Sequence, residues 1–101
     1  MGRSIDKQAV YEYLTKIPRG KVVTYGQIAV QIGDKCLARA VGNILHKNPD
    51  GNKYPCYKVV NSKGFLSAQY AFGGIECQKK KLEADGVVVD GFKVNLKMYQ
   101  W

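Results

Sequence analysis

The chain has 101 residues, 46% of them hydrophobic, which is material for a single domain spanning residues 1–101 with one modest core. No apolar run is long enough to cross a bilayer, and the first residues lack the apolar centre of a secretory signal. A cytoplasmic location, or a nuclear one in a eukaryote, is therefore expected. Three cysteines and one histidine are spaced too irregularly for a zinc site, so we expect reduced thiols, no metal and no cofactor.

Positive charge is concentrated in the middle of the chain. Sixteen Lys and Arg against eight Asp and Glu give a net charge of +8, and residues 16–63 hold nine of the basic residues against two acidic ones. Such a field suits a polyanion, with nucleic acid ahead of an anionic membrane. A basic protein that is merely soluble would give the same count, so charge alone does not separate these alternatives.

Two amphipathic helices are predicted at the start of the chain. Residues 4–16 carry apolar side chains at helical spacing behind Ser4, which can cap the helix. The segment 17–20 contains proline and glycine and predicts the turn that ends it. Thr24 then offers an N-cap hydroxyl for a second helix over residues 25–31.

A third helix is predicted after a tight turn at Gly33. Asp34 caps or begins it, and it reaches about Lys47, with five apolar residues on one face and Arg39 and Asn43 on the other. Two short helices joined in this way form a helix-turn-helix pattern, and the basic excess in the same region favours that interpretation.

The segment after these helices predicts a wing. Val59–Val60 and residues 65–66 read as two short strands around a turn at 61–64, which would place Lys63 at the tip. A strand pair behind a helix-turn-helix is the plan of a winged helix. The fold class predicted is therefore mainly α with a small β component, a winged helix-turn-helix-like single domain with one or two short hairpins.

The C-terminal third predicts one helix and a second hairpin. After a loop at 67–74, a helix spans residues 75–85, with the lysine run at 79–81 on a solvated face. Residues 87–94 read as a small hairpin, and the apolar tail at 96–101 is expected to dock back onto the core.

Cys56 stands in a stretch that suits a reactive thiol. Pro55 precedes it and stiffens the backbone, and Lys58 follows closely enough in sequence to favour the thiolate. Cys56 is therefore a candidate nucleophile. The alternative is a small buried hydrophobic residue ahead of a strand, since free cysteines are often buried.

In this order the segments resemble the DNA-binding, active-site domain of the O6-alkylguanine-DNA alkyltransferases and their alkyltransferase-like relatives. The stretches that carry the resemblance are IPRGKVVTYGQIA, RAVGNIL, NP, PCYKVV, FGG and LEADG. Each stretch alone is unspecific, whereas their joint order and spacing is highly specific.

The resemblance implies that the third helix enters the DNA minor groove and that a damaged guanine is flipped out of the stack. Tyr25 would rotate the nucleotide outward, Arg39 would fill the vacated space, and the small residues Ala38 and Gly42 would permit close approach. The same DNA interface would include Thr24, Asn43, Lys58 and Ser62. Arg39 as a plain phosphate contact and Tyr25 as helix-start packing remain alternatives.

For the chemistry, the resemblance implies that Cys56 accepts an alkyl group in one irreversible turnover, with Asn48 ordering the loop before it. Asn48 as a plain turn residue is the alternative. The family's Pro-Cys-His-Arg motif is PCYK here, so Tyr57 stands where a histidine relays the thiol proton, and Asp85 stands where a glutamate receives it. A tyrosine, with a pKa near ~10, is a poor base at neutral pH. His46 falls on the recognition helix and is given no role.

Three functions follow from this reading. The first is an alkyltransferase, a cofactor-free monomer that binds double-stranded DNA containing O6-alkylguanine, with no membrane partner. The second, motivated by the missing histidine, is a non-enzymatic lesion sensor that recruits nucleotide excision repair proteins. The third is a winged-helix transcription regulator, in which the PCYK motif and the small residues of the third helix would have no role.

Overall fold

The computed structural model describes residues 6–51, 53–67, 70 and 72–101, with Lys35 described through its backbone alone. In chain order the elements are α1 (Lys7–Lys16), β1 (Val23–Thr24), α2 (Tyr25–Ile32), α3 (Ala38–His46), β2 (Val59–Val60), α4 (Gly74–Ala84), β3 (Val89–Asp90), β4 (Lys93–Val94) and α5 (Leu96–Tyr99). Short 3₁₀ turns at Lys35–Leu37 and Cys56–Lys58 lead into α3 and β2. No helix in these described ranges is both long and apolar enough to cross a membrane.

The first two helices begin at capping side chains. The Asp6 carboxylate accepts hydrogen bonds from the backbone N–H of Gln8 at 3.0 Å and of Ala9 at 3.3 Å, so Asp6 is the cap seen for α1. The predicted cap, Ser4, lies outside the described residues. Thr24 caps α2 as predicted, because its hydroxyl accepts from the Gln27 N–H at 3.0 Å and the Gln27 side chain accepts from the Thr24 N–H at 3.4 Å.

The third helix starts later than predicted. The Asp34 carboxylate accepts from the backbone N–H of Cys36 at 2.8 Å, which stabilises a 3₁₀ turn, and α3 begins only at Ala38. An aspartate bonded to the N–H two residues ahead competes with α-helical geometry, which accounts for the difference. Helices α2 and α3 contact each other and are joined through Gly33 and the 3₁₀ turn, which keeps the predicted helix-turn-helix arrangement.

The predicted pairing of Val59–Val60 with residues 65–66 is wrong. β2 pairs in parallel with β1, Val23 opposite Val59 and Thr24 opposite Val60, while Phe65 forms an antiparallel bridge with Lys93. Both residues of β2 are buried, which suits an interior parallel strand and not a solvated wing. The other predicted hairpin is confirmed, since β3 and β4 pair antiparallel with Val89 opposite Val94.

The C-terminal tail docks against the strand region as predicted. The Val22 N–H donates to the Tyr99 carbonyl at 2.8 Å, and the Trp101 N–H donates to the Val22 carbonyl at 2.8 Å. The indole of Trp101 also packs on the ring of Tyr13, with 5.5 Å between ring centres. The last residues therefore extend the edge of β1 on the side that β2 does not occupy.

Two apolar cores lie on either side of β2. Val59 belongs to the core formed by α1, α2 and α3, which also contains Cys56, whereas Val60 belongs to the core under α4 and the β3–β4 hairpin. Neighbouring residues of a strand point to opposite faces, so this two-residue strand joins both cores. The arrangement fixes Cys56, three residues before Val59, at the wall of the first core.

Gly64 allows the chain to turn back tightly beneath β4. Its φ is +91°, and a Cβ added there would collide with the carbonyl oxygen of Val94. We expect Gly64→Ala to lower the free energy of unfolding by about 2–4 kcal/mol, because strained backbone and backbone clash add together. Urea unfolding followed by circular dichroism measures it.

The matched control for this prediction is Gly26→Ala in α2. A Cβ at Gly26 meets nothing within 4 Å, and alanine favours helix, so stability should stay unchanged or rise by about 0.5–1 kcal/mol. Equal stability of the Gly64→Ala variant and the wild type would contradict the close packing of Gly64 against β4.

Candidate functional site

A cavity of about 440 Å³ opens between α2, α3 and the segments that precede β2 and α4. Of the predicted site residues, it brings together Tyr25, Ala38, Arg39, Gly42, Asn43 and Cys56. The rest of its wall is formed by Leu45, His46, Ser67, Tyr70 and Gln78. The predicted residues Thr24, Asn48, Tyr57, Lys58, Ser62 and Asp85 do not line it.

Helices α2 and α3 supply the outer part of this cavity. Arg39 and Asn43 are exposed on α3, and Gly42 lies against Tyr25, whose ring carbon Cε1 would be 3.9 Å from a Cβ at Gly42. Burial raises the pKa of Tyr25, while a hydrogen bond with Ser67 acts in the opposite direction. Tyr25 therefore stays a neutral phenol at neutral pH.

Two of the residues predicted to contact DNA lie elsewhere. Thr24 is buried, with its hydroxyl engaged in the α2 cap, and Ser62 is exposed on the turn before Gly64. Ser62 lines a separate groove together with Lys63 and Lys93. Neither residue shares the cavity with Cys56, and their contact with DNA stays a prediction.

Asn48 holds the loop that leads to Cys56. Its side-chain amide is buried, donates to the Tyr54 carbonyl at 2.7 Å and accepts from the Asp50 N–H at 3.0 Å. The Tyr54 carbonyl also accepts from the Cys56 N–H at 2.7 Å, and the Tyr54 ring stacks on Tyr11 with 5.0 Å between ring centres. Asn48 and Cys56 thus converge on one carbonyl oxygen, which fixes the cysteine backbone.

The Cys56 thiol sits in surroundings that favour the protonated form. Its side chain is buried, and burial raises its pKa above the ordinary value of 9.0. A hydrogen bond with Asn48, one from the backbone and the charge of Lys81 offset part of that rise. At neutral pH the site therefore holds a thiol, and forming the thiolate requires a proton acceptor.

Tyr57 and Asp85 form a hydrogen-bonded pair, but this pair does not face the cavity. The Tyr57 hydroxyl donates to Asp85 Oδ2 at 2.9 Å. Burial first, and then the bond and charge of Asp85, raise the pKa of Tyr57 well above its usual range. The hydroxyl hydrogen of Tyr57 is thus committed to Asp85, and Tyr57 is a poor acceptor for the Cys56 proton.

Lys58, which was predicted to contact DNA, is buried in this structure, and its contact with DNA stays a prediction. Lys58 is only 6% exposed, and its Nζ donates to the carbonyls of Ile17 at 3.1 Å and Pro18 at 3.3 Å. Asp85 Oδ2 lies 3.6 Å from the same Nζ. A buried ammonium needs such partners, so Lys58 ties the 3₁₀ turn of Cys56 to the end of α1 and of α4.

The predicted solvated face at 79–81 is wrong for Lys81. Its Nζ donates to the Tyr70 hydroxyl at 3.0 Å and lies 5.6 Å from the ring centre of Phe72. Lys81, and not Lys58 as predicted, is thus the lysine whose charge bears on the Cys56 thiol. The helical spacing indicates this position, because Lys81 lies three residues after the buried Gln78 and one before the buried Leu82, next to the buried face of α4.

Gln78 was not among the predicted site residues, and its side chain is buried, with 1% exposed. Its amide donates to the carbonyls of Tyr57 at 3.1 Å and Val59 at 3.0 Å and accepts from the Ser67 N–H at 2.8 Å. A buried glutamine on the inner face of α4 therefore binds the cysteine segment to that helix.

Known proteins that resemble this chain identify its family. The family model described as 6-O-methylguanine DNA methyltransferase, DNA binding domain, matches residues 6–87. The chain is 40% identical over 93 residues to a DNA base-flipping protein of Vibrio parahaemolyticus, covering 91% of each chain. It is also 40% identical over 100 residues to a bifunctional methyltransferase/endonuclease of Picrophilus torridus, of which it spans 33%.

Among solved structures, the crystal structure of Schizosaccharomyces pombe Atl1 in complex with damaged DNA containing O6-carboxymethylguanine superposes with a TM-score of 0.86. The two sequences are 35% identical, and the match covers 94% of this chain and 93% of the other. The predicted family resemblance and the predicted fold class, mainly helical with a small β component, are both confirmed.

The Tyr57–Asp85 pair makes the stability sensitive to alkaline pH. The unfolded chain releases the Tyr57 proton near pH ~10, whereas the folded protein retains it, so the free energy of unfolding falls as the pH rises above about 10. We expect Tyr57→Phe to cost about 1–2 kcal/mol at pH 8 and to make the alkaline loss shallower. Urea unfolding between pH 8 and 11 measures both effects.

Tyr99→Phe in α5 is the control and should keep the steep alkaline loss of the wild type. An identical pH dependence in the Tyr57→Phe variant and the wild type would show that the folded protein does not protect the Tyr57 proton.

Proposed function

Since the chain belongs to the 6-O-methylguanine DNA methyltransferase family through its DNA-binding domain, we propose that it repairs duplex DNA containing O6-alkylguanine. The alkylated base enters the cavity, and Cys56 accepts the alkyl group. The observation that carries the proposal is that Cys56 lines the same cavity as Tyr25 and Arg39. Its volume of about 440 Å³ falls in the range of pockets that enclose small ligands.

The α3 surface supports an approach along the minor groove. Arg39, Asn43 and Lys47 are exposed on α3 or directly after it, while Ala38 and Gly42 add little bulk beside them. Small residues allow a helix backbone to come near the sugar edges, and a basic side chain can enter the base stack behind a flipped nucleotide. Tyr25, packed on Gly42, lines the cavity that the nucleotide would enter.

The transfer itself balances without a cofactor. Cys56 Sγ forms a bond to the alkyl carbon, the bond from that carbon to O6 breaks, and its electron pair passes to the guanine. The thiol proton is released and the guanine takes up one proton, so a thioether and an unmodified guanine are the products. The thioether formed on Cys56 is not cleaved again, and each protein molecule therefore acts once.

A lesion sensor is the second candidate, and a specific observation favours it. Burial raises the pKa of the Cys56 thiol, and the hydroxyl hydrogen of Tyr57 is donated to Asp85. A site whose thiol keeps its proton can hold an alkylated guanine and leave it intact. Excision repair proteins would then act on the marked DNA.

Mass spectrometry after incubation with a duplex containing one O6-methylguanine separates these candidates. We expect one methyl group on the peptide that contains Cys56, because sulfur and the alkyl carbon meet in the same cavity. Cys56→Ser should bind the duplex and gain no mass. Tight binding of the lesion by the wild type with no methyl on Cys56 would contradict transfer and leave the sensor.

Arg39 should contribute to lesion preference and not to general DNA affinity alone. We expect Arg39→Ala to reduce the preference for O6-methylguanine duplex over undamaged duplex by about tenfold, equivalent to about 1.4 kcal/mol. Fluorescence anisotropy titrations at one salt concentration measure both affinities.

The matched control is Lys97→Ala, which removes one positive charge from an exposed residue of the separate groove. It should weaken both duplexes equally and keep the preference. Equal affinity of the wild-type protein for damaged and undamaged duplex would favour a transcription regulator instead.

A further inference from the structure

Tyr70 and Lys81 form a hydrogen-bonded pair at the wall of the cavity. Lys81 Nζ lies 3.0 Å from the Tyr70 hydroxyl, and Tyr70 is 8% exposed and lines the cavity together with Cys56. The ammonium also lies 6.0 Å from the ring centre of Tyr57, 5.4 Å from that of Tyr70 and 5.6 Å from that of Phe72. A cation among three aromatic rings is held in one place by their π faces.

The direction of this hydrogen bond determines what Tyr70 can do. A lysine ammonium carries donors alone, so the Tyr70 oxygen is the acceptor and its own hydrogen points away from Lys81. Tyr57 is in the opposite situation, since its hydrogen is given to Asp85. Of these two tyrosines, Tyr70 is the one that lines the cavity and has its hydroxyl hydrogen directed away from a charged partner.

We propose that Lys81 and Tyr70 together perform the proton-handling task left open by the tyrosine in the PCYK motif. Lys81 is a positioning residue that acts through Tyr70, and its positive charge favours the thiolate form of Cys56. Tyr70 is the group that carries the proton. This inference rests on the proposed transfer function. It assigns a role to a lysine that the sequence places in a solvated run.

With this pair, every proton in the transfer step has a source and a destination. As the Cys56–alkyl bond forms and the alkyl–O6 bond breaks, Tyr70 gives its proton to the guanine and takes up the proton that leaves the thiol. Lys81 keeps its charge throughout and stabilises the transient phenolate of Tyr70. Burial, and then Cys56 and Cys77, raise the pKa of Tyr70 well above its usual range, so Tyr70 is protonated before the base arrives.

Several titratable groups face Cys56 or the cavity that it lines. They are Tyr11 from α1, Tyr25 from α2, Arg39 and His46 from α3, Tyr70 from the loop before α4, and Lys81 from α4. Lys81 is the cation whose charge lowers the pKa of the thiol, against the larger effect of burial. Lys80 is exposed on the same helix, which makes it the matched control for a change of one charge.

The first test uses the full chain without DNA. The pH dependence of Cys56 alkylation by iodoacetamide is followed by peptide mass spectrometry, which separates Cys56 from Cys36 and Cys77. We expect Lys81→Met and Lys81→Gln to slow Cys56 alkylation at pH 7 by roughly threefold to tenfold, equal to a rise of half to one unit in the apparent pKa.

Lys81→Arg should stay within about twofold of the wild type, and Lys80→Met should leave the profile unchanged. Using two neutral variants keeps the test decisive if one of them has a lowered Tm. A wild-type profile in the folded Lys81→Met or Lys81→Gln variant, or an equal shift in Lys80→Met, would overturn the assignment of Lys81.

The second test measures single-turnover transfer from O6-methylguanine duplex. Tyr70→Phe keeps the ring against Lys81 and removes the hydroxyl, so we expect about a tenfold slower rate with lesion affinity retained. A Tyr70→Phe rate equal to the wild type would overturn proton transfer through Tyr70. Absence of transfer in the wild type, together with slowed iodoacetamide alkylation in Lys81→Met, would refute the proposed function and leave the effect of Lys81 on the thiol standing.

Discussion

The parallel pairing of β1 with β2 is the constraint on which the site depends. It places Val59 in the core of the first three helices and Val60 in the core under α4, so the strand cannot shift without emptying both. Cys56 reaches this strand through a single 3₁₀ turn. Gln78 adds two hydrogen bonds from α4 to the same segment. The thiol therefore has a fixed position while the cavity in front of it stays open.

Charged groups around this turn divide into a structural set and a functional set. Lys58 and Asp85 are used to join the cysteine turn to the ends of α1 and α4, and Tyr57 completes that network through Asp85. Their hydrogen bonds satisfy buried polar atoms, which would otherwise cost stability. Arg39 on α3 and Lys81 on α4 are not part of this network, and they are the charges that the proposed function uses.

This division explains how one fold can serve both repair and sensing. In the proposed function, binding and base flipping draw on α2, α3 and the shape of the cavity, and they do not require the thiol to ionise. Transfer additionally requires that the Cys56 proton leave a buried site, against the effect of burial on its pKa. Under this proposal, a member of the family can keep the DNA surface intact while the proton path changes, and the groups that face the thiol would decide between the two outcomes.

Local chemistry made much of the fold and of the site predictable. The sequence alone determined the first four helices except for the start of α3, and it determined the Thr24 cap, the β3–β4 hairpin, the docking tail and the family likeness that grouped Tyr25 and Arg39 with Cys56. These features depend on residues a few positions apart, or on motifs whose order is itself informative. The tertiary structure alone decided the partner of β2, because a two-residue strand has no periodicity that selects one. It also decided which lysine lies at the wall of the cavity. Both Lys58 and Lys81 are candidates from the sequence, but packing buries Lys58 among backbone carbonyls and places Lys81 beside Tyr70.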